Sequence, residues 1–408
     1  MFLTALDLGS SQIKILVSET SNGNKLSLLD VLKFPSQGIR KGEVVDVQEA
    51  SQAITMALNE VKKNDKNAVK NIFVNISGKN INTQSSRGIV AVSRADNEIY
   101  QDDVDRAVKA SQAVNFSSKN RKIIHTIIQE YIIDGEEQVQ SPLSMSGNRL
   151  EVNSLIVDAF SPIADDLNRA IEMAGGKVFE TVYNPIASSG AILTKTNKEL
   201  GVVLVDIGFG TTSMAIFEEN KLIGAKVFPI GASNITNDLA VALKSSIQTA
   251  EKIKLSYGHA LIKEVSLKDK VDLFEIDKTL KSVISRKFIC EIIEVRLAEI
   301  FELVHNELKV LGKTQLPGGV VLAGGGSKMS GIIDLAKQEL MLPAHLAHMN
   351  TDIFDATNRD SSAMIEDLEF STALGLLYFG SNVYLDGGNG WMSNKKDIFS
   401  RVFRNLMP

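Results

Sequence analysis

Two short polar turns in the sequence combine the residue types that bind phosphate and a hydrated metal ion. The first turn lies in Asp7-Leu8-Gly9-Ser10-Ser11, and the second lies in Asp206-Ile207-Gly208-Phe209-Gly210-Thr211-Thr212. Glycine permits the positive φ of a tight turn, and the exposed N–H groups of small residues cradle phosphate. The two carboxylates stand at strand ends, where they could hold the water shell of Mg²⁺. The candidate residues are Asp7, Gly9, Ser10, Ser11 and Lys14 around the first turn and Asp206, Gly208, Gly210, Thr211 and Thr212 around the second.

Two further clusters could contact the remainder of a phosphate-bearing ligand. The apolar run 320–323 leads into Gly324-Gly325-Gly326-Ser327, and such a strand–glycine–helix junction lets the backbone approach a flat ligand closely. Glu251 and Lys254 share one face of a predicted helix, where they could grip a ribose. Each cluster has a simpler alternative. The glycines could form a plain turn, and Glu251 and Lys254 could form a surface ion pair.

The two polar turns lie in equivalent positions of an internal repeat. In each copy an apolar strand, the turn and a second apolar strand precede a third strand, which opens with Asn-Lys-Leu and ends with Phe-Pro. A helical pattern follows at about 47–63 in the first copy and 232–244 in the second. This arrangement predicts a duplicated α/β domain. One such turn could be an ordinary hairpin, but two in equivalent positions favour a phosphate site.

Composition limits the classes of protein to which the chain could belong. It has 408 residues, enough for two to four domains, and its 44% hydrophobic and 23% charged content excludes wholesale disorder. The net charge of −5 argues against a nucleic-acid partner. The single cysteine, Cys290, excludes an internal disulfide and a cysteine-based zinc site, and we expect it to be inert core packing. No apolar run is long enough to span a bilayer, and the first residues lack the pattern of a secretory signal. These features predict a soluble, cytosolic, multidomain body.

The last eighteen residues, 391–408, differ in charge and apolar pattern from the chain as a whole. After a glycine-rich break at 386–390, apolar residues recur at helical spacing and basic residues dominate the charge. This pattern predicts an amphipathic helix that lies in a membrane interface and contacts anionic lipids. The alternative is a helix that packs against its own domain. The candidate membrane-contacting residues are Trp391, Lys395, Lys396, Ile398, Phe399, Arg401, Val402, Phe403, Arg404 and Leu406.

Together these motifs resemble the actin/Hsp70/sugar-kinase ATPase superfamily. Asp7-Leu8-Gly9 resembles its first phosphate loop, Asp206-Ile207-Gly208 its second, and the three glycines from Gly324 its adenosine loop. Within the superfamily the chain is most similar to the FtsA family of bacterial actin homologues. The motifs that carry this narrower resemblance include Pro185-Ile186-Ala187-Ser188-Ser189, Ala250-Glu251-Lys252-Ile253-Lys254, Ile293-Glu294-Val295-Arg296 and Ser371-Thr372-Ala373-Leu374-Gly375-Leu376-Leu377.

The resemblance implies an α/β fold: a duplicated actin-like, ribonuclease H-like ATPase with two lobes around a nucleotide cleft. It also implies an inserted subdomain 1C, which mediates polymer or partner contacts in the family, and a C-terminal amphipathic helix. The implied divisions are subdomain 1A at 1–85, 162–196 and 362–385, subdomain 1C at 86–161, subdomain 2A at 197–235 and 306–361, subdomain 2B at 236–305, a linker at 386–390 and the membrane-targeting helix at 391–408.

The ligands implied by the resemblance are ATP and Mg²⁺, the metal being held through water by Asp7 and Asp206. Two positions depart from the family pattern. Phe209 stands between the glycines of the second loop, where its side chain could point outward. Asn184 stands where related filament ATPases carry a Glu or Gln that orients the attacking water. Asparagine is shorter and a poor base, so we expect ATP binding with slow hydrolysis.

The implied partners are a second copy of the chain in a filament, the C-terminal peptide of FtsZ, anionic membrane lipids and, through subdomain 1C, other division proteins. Arg286, Lys287 and Arg296 are the candidate contacts for the acidic FtsZ peptide, the alternative being solvated charges. The predicted location is the cytoplasmic face of the cell membrane at the division site.

These features predict a membrane-tethered, ATP-dependent filament protein that anchors the FtsZ ring. A small-molecule kinase of the same superfamily is one alternative, although no catalytic aspartate base is evident in the sequence. An actin-like adaptor of pilus or secretion machinery is another, and the amphipathic C-terminal pattern argues against it.

Overall fold

A computed structural model of the chain describes residues 2–20, 25–113, 120–139, 141–350, 354–356 and 359–387. The predicted membrane-targeting helix at 391–408 therefore lies outside the described residues. The strands within these ranges are β1 (Phe2–Leu8), β2 (Gln12–Thr20), β3 (Leu26–Pro35), β4 (Ile39–Arg40), β5 (Glu43–Val44), β6 (Ile72–Ile76), β7 (Ile81–Ala91), β8 (Arg121–Ile133), β9 (Glu136–Val139), β10 (Arg149–Phe160), β11 (Val178–Tyr183), β12 (Val202–Ile207), β13 (Thr212–Glu218), β14 (Lys221–Phe228), β15 (Lys270–Asp272), β16 (Val283–Ser285), β17 (Val320–Ala323), β18 (Ala344–Leu346) and β19 (Phe354–Ala356).

Helices connect and cover these strands. They are α1 (Val47–Asn64), α2 (Gln101–Ser111), α3 (Ser161–Met173), α4 (Asn184–Ile192), α5 (Lys195–Leu200), α6 (Ala232–Leu243), α7 (Ile247–Tyr257), α8 (Leu273–Ile276), α9 (Arg286–Val310), α10 (Ile332–Leu340), α11 (Arg359–Ile365) and α12 (Ser371–Gly387). Short 3₁₀ turns occupy Ala68–Lys70, Ile262–Glu264, Gly325–Lys328 and Leu368–Phe370. In the part of the chain that the structure covers, none of these helices is both long enough and apolar enough to cross a bilayer.

The two large sheets have the same strand order, which confirms the predicted duplication. In the first lobe the order is β11-β6-β1-β2-β3, with β19 added at the edge, and in the second it is β18-β17-β12-β13-β14. In each sheet the first three strands of the copy form an antiparallel meander, and its outer two strands run parallel to the first. Helix α1 follows the first meander and α6 follows the second, as the sequence pattern predicts.

The central strands form because nearly every side chain in them is apolar and buried. All six residues of β12 are buried, and so are six of the seven in β1. Such continuous apolar runs suit strands that are covered by helices on both faces. Thr4, Asp7 and Asp206 are the polar exceptions, and the two aspartates each stand near the end of their strand. A carboxylate in this position is held in place by the buried strand that precedes it.

A third sheet, of order β7-β10-β8-β9, forms an insert in the first lobe. Helix α2 packs against this sheet, and the two share a hydrophobic cluster that includes Val104, Tyr131 and Val152. Strand β7 is continuous from Ile81 to Ala91, and β10 leads directly into α3 of the first lobe. The insert therefore has its own small core and is joined to the first lobe at both ends.

Candidate functional site

The two polar turns predicted to bind phosphate face one another across a cavity of about 340 Å³ between the lobes. We call Asp7–Lys14 the first hairpin and Asp206–Ser213 the second hairpin. The helix carrying Glu251 and Lys254 and the glycine loop after β17 complete the walls. The predicted residues that line this cavity are Asp7, Gly9, Ser10, Ser11, Lys14, Asn184, Asp206, Gly208, Gly210, Thr211, Glu251, Lys254, Gly324, Gly325 and Gly326.

Thr212 and Ser327 are the two candidates that do not line the cavity. Both are fully buried, and each hydroxyl donates to a backbone carbonyl: Thr212 Oγ1 to Ile230 at 2.9 Å and Ser327 Oγ to Gly324 at 2.7 Å. The prediction that they contact ligand is wrong for these side chains. Alternation along β13 sends Thr212 away from the cavity, and Ser327 turns back to close its own 3₁₀ turn.

Glycine is required in the two hairpins for close packing, and the expected positive φ is absent at Gly9 and Gly208. The N–H of Gly9 donates to the carbonyl of Gln12 at 3.1 Å, and a Cβ on Gly9 would lie 2.7 Å from that oxygen. In the second hairpin Gly208 donates to Thr211 at 2.8 Å, and a Cβ would lie 3.0 Å from the Thr211 carbonyl. A side chain at Gly9 would collide with the closing hydrogen bond of its turn, and one at Gly208 would crowd the equivalent bond of the second turn.

The tips of the two hairpins come close together. A Cβ on Gly210 would lie 2.6 Å from Oγ of Ser10, so the second hairpin can approach the first only with glycine at this position. Among the described residues, the backbone N–H groups of Ser10, Ser11, Phe209 and Gly210 have no acceptor. The turns therefore present four backbone donors between the lobes, as expected of an anion cradle. Phe209 is 37% exposed and is one of the residues that line the cavity, so its outward direction stays a prediction.

Asp7 is neutralised by a cation from its own hairpin. Lys14 is the cross-strand neighbour of Asp7, and its Nζ lies 2.9 Å from Oδ2. The other carboxylate oxygen accepts from Nδ2 of Asn75 at 3.0 Å. Burial alone would lower the pKa of Lys14, but the contact with Asp7 outweighs it and holds that pKa above its usual value. The pair is almost completely enclosed, with the two side chains 12% and 7% exposed.

Asp206 has no such cation in contact among the residues that the structure describes. Its cross-strand neighbour is Ser213, and its carboxylate accepts from Oγ of Ser371, at the start of α12, at 2.8 Å. Burial raises the pKa of Asp206 to about 6, the hydroxyl of Ser371 opposes the rise, and the nearby charge of Asp7 adds to it. The loop glycine Gly324, with φ of +80°, packs against the same carboxylate, where a Cβ would lie 2.3 Å from Oδ1.

Asn184 lies in a chain of amide hydrogen bonds that crosses between the lobes. Its Oδ1 accepts from Nδ2 of Asn75 at 3.0 Å, and its Nδ2 donates to Oγ of Ser213 at 3.0 Å. Asn75 also accepts from the backbone N–H of Leu8 at 2.7 Å and donates to Asp7. Both ends of the Asn184 amide are thus used to join the first hairpin to the second.

Glu251 and Lys254 form an ion pair, and this pair lies in the wall of the cavity and not on the outer surface. Ser246 caps the start of α7 by accepting from the N–H of Thr249, and this fixes the helix that carries the pair. Nζ of Lys254 lies 2.8 Å from the Glu251 carboxylate and 3.0 Å from Oγ1 of Thr236, which also donates to Glu251. Lys254 is almost fully buried and Glu251 is about one-third exposed. Glu251 therefore offers a carboxylate to a ligand hydroxyl.

The glycine loop after β17 packs tightly against the second hairpin. A Cβ on Gly326 would lie 2.5 Å from Cγ2 of Ile207, whereas Gly325 has only Glu369 Cβ near it, at 3.8 Å. Gly324 and Gly326 are thus required by packing against β12, and Gly325 presents open backbone to the cavity. The sequence pattern predicts ligand contact for all three glycines, whereas in the structure two of them serve packing and one faces the cavity.

The cavity walls fit a polar, phosphate-bearing ligand. Oε1 of Gln12 and Oγ of Ser77 are buried side-chain atoms of the cavity wall for which the described residues supply no partner. A buried polar atom costs free energy unless it is paired, so a polar ligand or its water would suit both. Within the described ranges, no group of three or more His, Cys, Asp or Glu side chains is placed to hold a metal ion. Asp7 and Asp206 would contact a metal through its water shell.

Sequence reasoning missed several of these residues. Asn75 could have been found as the polar interruption of a buried apolar strand, and Ser371 as a polar residue that begins an apolar helix. Ser77 and Ser213 have no such signal, because their importance depends on which strands become neighbours.

Two of the three predicted peptide-contacting cations of α9 are already paired with carboxylates. Nε and Nη2 of Arg296 donate to the carboxylate of Asp238 at 2.6 and 3.1 Å, and Nη1 donates to Glu299. Arg286 donates to the carbonyl of Tyr257 and lies 3.5 Å from Asp269. Lys287 alone has no carboxylate partner in the part of the chain described. Acidic residues distant in sequence therefore pair with two of the three predicted cations, and their contact with an acidic peptide stays a prediction. Cys290, in the same helix, is buried as expected.

Comparison with solved structures identifies the fold. Over 93% of this chain and 98% of its counterpart, the structure is similar to a chain of the PilM–PilN type IV pilus biogenesis complex, with a TM-score of 0.65 and 16% identity. It is also similar to MreB5 of Spiroplasma citri bound to ADP, with a TM-score of 0.55 and 13% identity over 95% of this chain and 99% of that one. At these identities the likeness concerns the fold, and the fold is actin-like.

Comparison of sequences identifies the family. The family model for cell division protein FtsA matches residues 203–375, and the model for the SHS2 domain inserted in FtsA matches residues 78–158. The cell division protein FtsA of Bacillus subtilis is 33% identical over 92% of this chain and 82% of its own length. That of Pseudomonas aeruginosa is 34% identical over 94% of this chain and 90% of its own length. The chain therefore belongs to the FtsA family of cell division proteins, as the resemblance of its motifs predicts.

Proposed function

We propose that the protein binds ATP and Mg²⁺ between its lobes and forms membrane-tethered filaments that anchor the FtsZ ring. The observation that carries the proposal is the convergence of both hairpins, the Glu251–Lys254 pair and the glycine loop on one cavity. Backbone donors from both lobes suit a chain of phosphates, and a carboxylate at the far wall suits a ribose hydroxyl. MreB5 of Spiroplasma citri, which shares the fold, is bound to ADP in its solved structure.

Each wall of the cavity would take a different part of the ligand. The N–H groups of Ser10, Ser11, Phe209 and Gly210 would bind phosphate oxygens. Asp7 and Asp206 would orient the water shell of Mg²⁺, and the bound ion would neutralise phosphate charge. Glu251, held by Lys254, would accept from the ribose. The open backbone of Gly325 would lie against the base.

Hydrolysis in this site should be slow. A water-orienting residue needs an acceptor directed at the water, and the bonds to Asn75 and Ser213 hold the Asn184 amide in place and leave only one lone pair of its oxygen. An asparagine amide is also too weak a base to remove a proton. The proposed role of ATP is therefore to hold the lobes in the arrangement that forms filaments. Slow hydrolysis would then return the chain to its unbound arrangement.

Family membership and the sequence of the C-terminal segment support the membrane and FtsZ parts of the proposal. The FtsA relatives are cell division proteins, which favours this reading over a small-molecule kinase or a pilus adaptor. The segment 391–408 has an apolar stripe, four basic residues and one acidic residue. Because Arg286 and Arg296 are neutralised, Lys287 is the remaining candidate cation on α9 for an acidic peptide.

Liposome co-sedimentation tests the membrane anchor. The full chain should pellet with anionic liposomes, and Phe399→Glu should abolish pelleting because it places a charge in the apolar stripe. Asn405→Glu adds the same charge to the opposite face of the predicted helix and should pellet nearly as the unmodified chain does. Equal pelleting of the Phe399→Glu variant would refute the anchor. Electron microscopy on a lipid monolayer, with and without ATP, then tests filament formation.

A further inference from the structure

The insert in the first lobe is bonded directly to the second lobe. Oγ1 of Thr83 on β7 donates to the carbonyl of Ala225 at 3.0 Å, and Nε2 of Gln129 on β8 donates to the carbonyl of Leu222 at 2.8 Å. Beside them, Glu130 forms an ion pair with Lys221 at 3.0 Å. We call Thr83, Gln129, Glu130 and Lys221 the inter-lobe strap.

The second-lobe partners all lie on β14, which is the edge strand of its sheet. An edge strand exposes a row of unpaired backbone groups, and here side chains of the insert satisfy two of its carbonyls. The Glu130–Lys221 pair is largely shielded, with the side chains 20% and 18% exposed. Partial burial would raise the pKa of Glu130, but hydrogen bonds from Asn153 and Lys221 outweigh it and hold that pKa below its usual value. The strap is therefore a specific interface and is not a loose surface contact.

The insert is also firmly held to the first lobe, so that the strap connects two bodies. At the point where the chain enters and leaves the insert, the guanidinium of Arg121 on β8 pairs with Asp158 on β10 and donates to the carbonyl of Asn80 at 3.1 Å, which fixes the insert's own strand ends. Further along β8, Nε2 of the fully buried His125 accepts from the N–H of Tyr183 at 2.9 Å. Tyr183 directly precedes Asn184 of the cavity wall. A displacement of β14 relative to the first lobe therefore stretches or breaks the bonds of the strap.

We propose that the inter-lobe strap restrains the opening of the two lobes and thereby sets how long a ligand stays between them. The three bonds span five residues of β14, from Lys221 to Ala225, or about 13 Å at strand spacing. Any rotation that lifts this strand from the insert breaks all three bonds together. The restraint on the lobes follows from these contacts alone. The effect on ligand release rests on the nucleotide binding proposed above.

Charge reversal with rescue tests the strap. Glu130→Lys replaces the attraction to Lys221 by repulsion, and adding Lys221→Glu restores an ion pair of reversed sense. Lys226→Glu is the matched control, because Lys226 lies on the same strand but pairs with Glu307 of its own lobe. Thr83→Val with Gln129→Met removes the two donors without changing charge. This neutral pair decides the question if Glu130→Lys fails to fold.

Two readouts separate the strap from nucleotide binding. Spin labels on Met173→Cys and Gln338→Cys, one in each lobe, report the distribution of inter-lobe distances without a ligand. Native Cys290 is fully buried and does not compete for label. The release rate of a fluorescent ATP analogue reports residence time.

We expect Glu130→Lys to broaden the distance distribution and to speed release about tenfold, and the rescued chain and the control to stay within about twofold of the unmodified chain. The neutral pair should shift both readouts in the same direction. Distances and release unchanged in both Glu130→Lys and the neutral pair would overturn the strap. If the unmodified chain binds no nucleotide, the proposed function fails, and the distance distribution still decides the strap.

Discussion

The first and second hairpins share a backbone and a sequence pattern, yet their carboxylates are held in opposite ways. One residue makes the difference. The cross-strand neighbour is Lys14 for Asp7 and Ser213 for Asp206. Asp7 is therefore one half of an enclosed ion pair, whereas Asp206 is buried with a hydroxyl as its nearest partner. A duplicated motif thus supplies one carboxylate that is neutralised by its own hairpin and one whose charge burial disfavours.

The largest expected effect comes from breaking the first hairpin. Asp7→Asn leaves Lys14 enclosed without its counter-charge, and it should lower the free energy of unfolding by about 3 kcal/mol. Urea denaturation at pH 7.5 measures this change. A loss no larger than that caused by a surface substitution such as Lys226→Gln would contradict the assignment of Asp7 as a structural charge.

The equivalent change in the second hairpin should have the opposite sign. Between its ordinary pKa of 3.8 and about 6, Asp206 binds a proton in the folded chain that the unfolded chain does not bind. The free energy of unfolding therefore falls as pH rises through this window. Asp206→Asn mimics the protonated form, so above pH 6 it should be more stable than the unmodified chain by about 1–2 kcal/mol.

Urea denaturation of Asp206→Asn and the unmodified chain between pH 4 and 8, without ligand, checks this prediction. The two curves should converge near pH 4 and separate as pH rises. If Asp206→Asn is the less stable chain at pH 7.5, the two hairpins do not differ in the way described.

A smaller effect separates two adjacent threonines of the second hairpin. Thr212→Val removes the buried donor to the Ile230 carbonyl and should cost about 1 kcal/mol of stability with little change in ATP affinity. Thr211→Val changes a residue that lines the cavity, and it should weaken ATP binding while stability is unchanged. Thermal denaturation and equilibrium binding of both variants give the comparison. If Thr212→Val weakened ATP binding and Thr211→Val lowered stability, the roles given to these two hydroxyls would be contradicted.

The smallest effect concerns the stronger of the two hydrogen bonds, from Ser371 and Ser188, that favour the charged form of Asp206. Ser371→Ala removes the hydroxyl that opposes the rise in its pKa, so that pKa should move above 6 by about half a unit to one unit. The midpoint of the pH dependence of Mg²⁺–ATP binding should move upward by the same amount. Thr372→Val, at the next position of the cavity wall, is the control and should leave the midpoint in place.

Sequence reasoning succeeded where a pattern is local. The repeat, the helices that follow it and the two hairpins could be predicted because apolar periodicity and turn residues act over a few positions. The structure gives the same strand order in both sheets, and fifteen of the predicted residues line one cavity. Thr212 shows the limit of the method. Its position in the motif was correct, but the direction of its side chain depends on where the strand begins.

The remaining features depend on contacts between distant residues. Arg296 could not be recognised as neutralised, because Asp238 lies 58 positions away. Ser371 reaches Asp206 across 165 positions, and Asn75 is placed beside Asp7 by parallel pairing of β6 with β1. The inter-lobe strap likewise joins residues whose proximity follows only from the way the insert is docked.

Calorimetric titration with ATP tests the central claim, that the two hairpins together form a Mg²⁺–ATP site. We predict saturable binding of one ATP per chain in the presence of Mg²⁺. Removal of Mg²⁺ or the Asp206→Asn substitution should weaken the affinity at least about tenfold, although that variant is the more stable protein. Absence of saturable binding at millimolar ATP, or equal affinity with and without Mg²⁺ and Asp206, would contradict it.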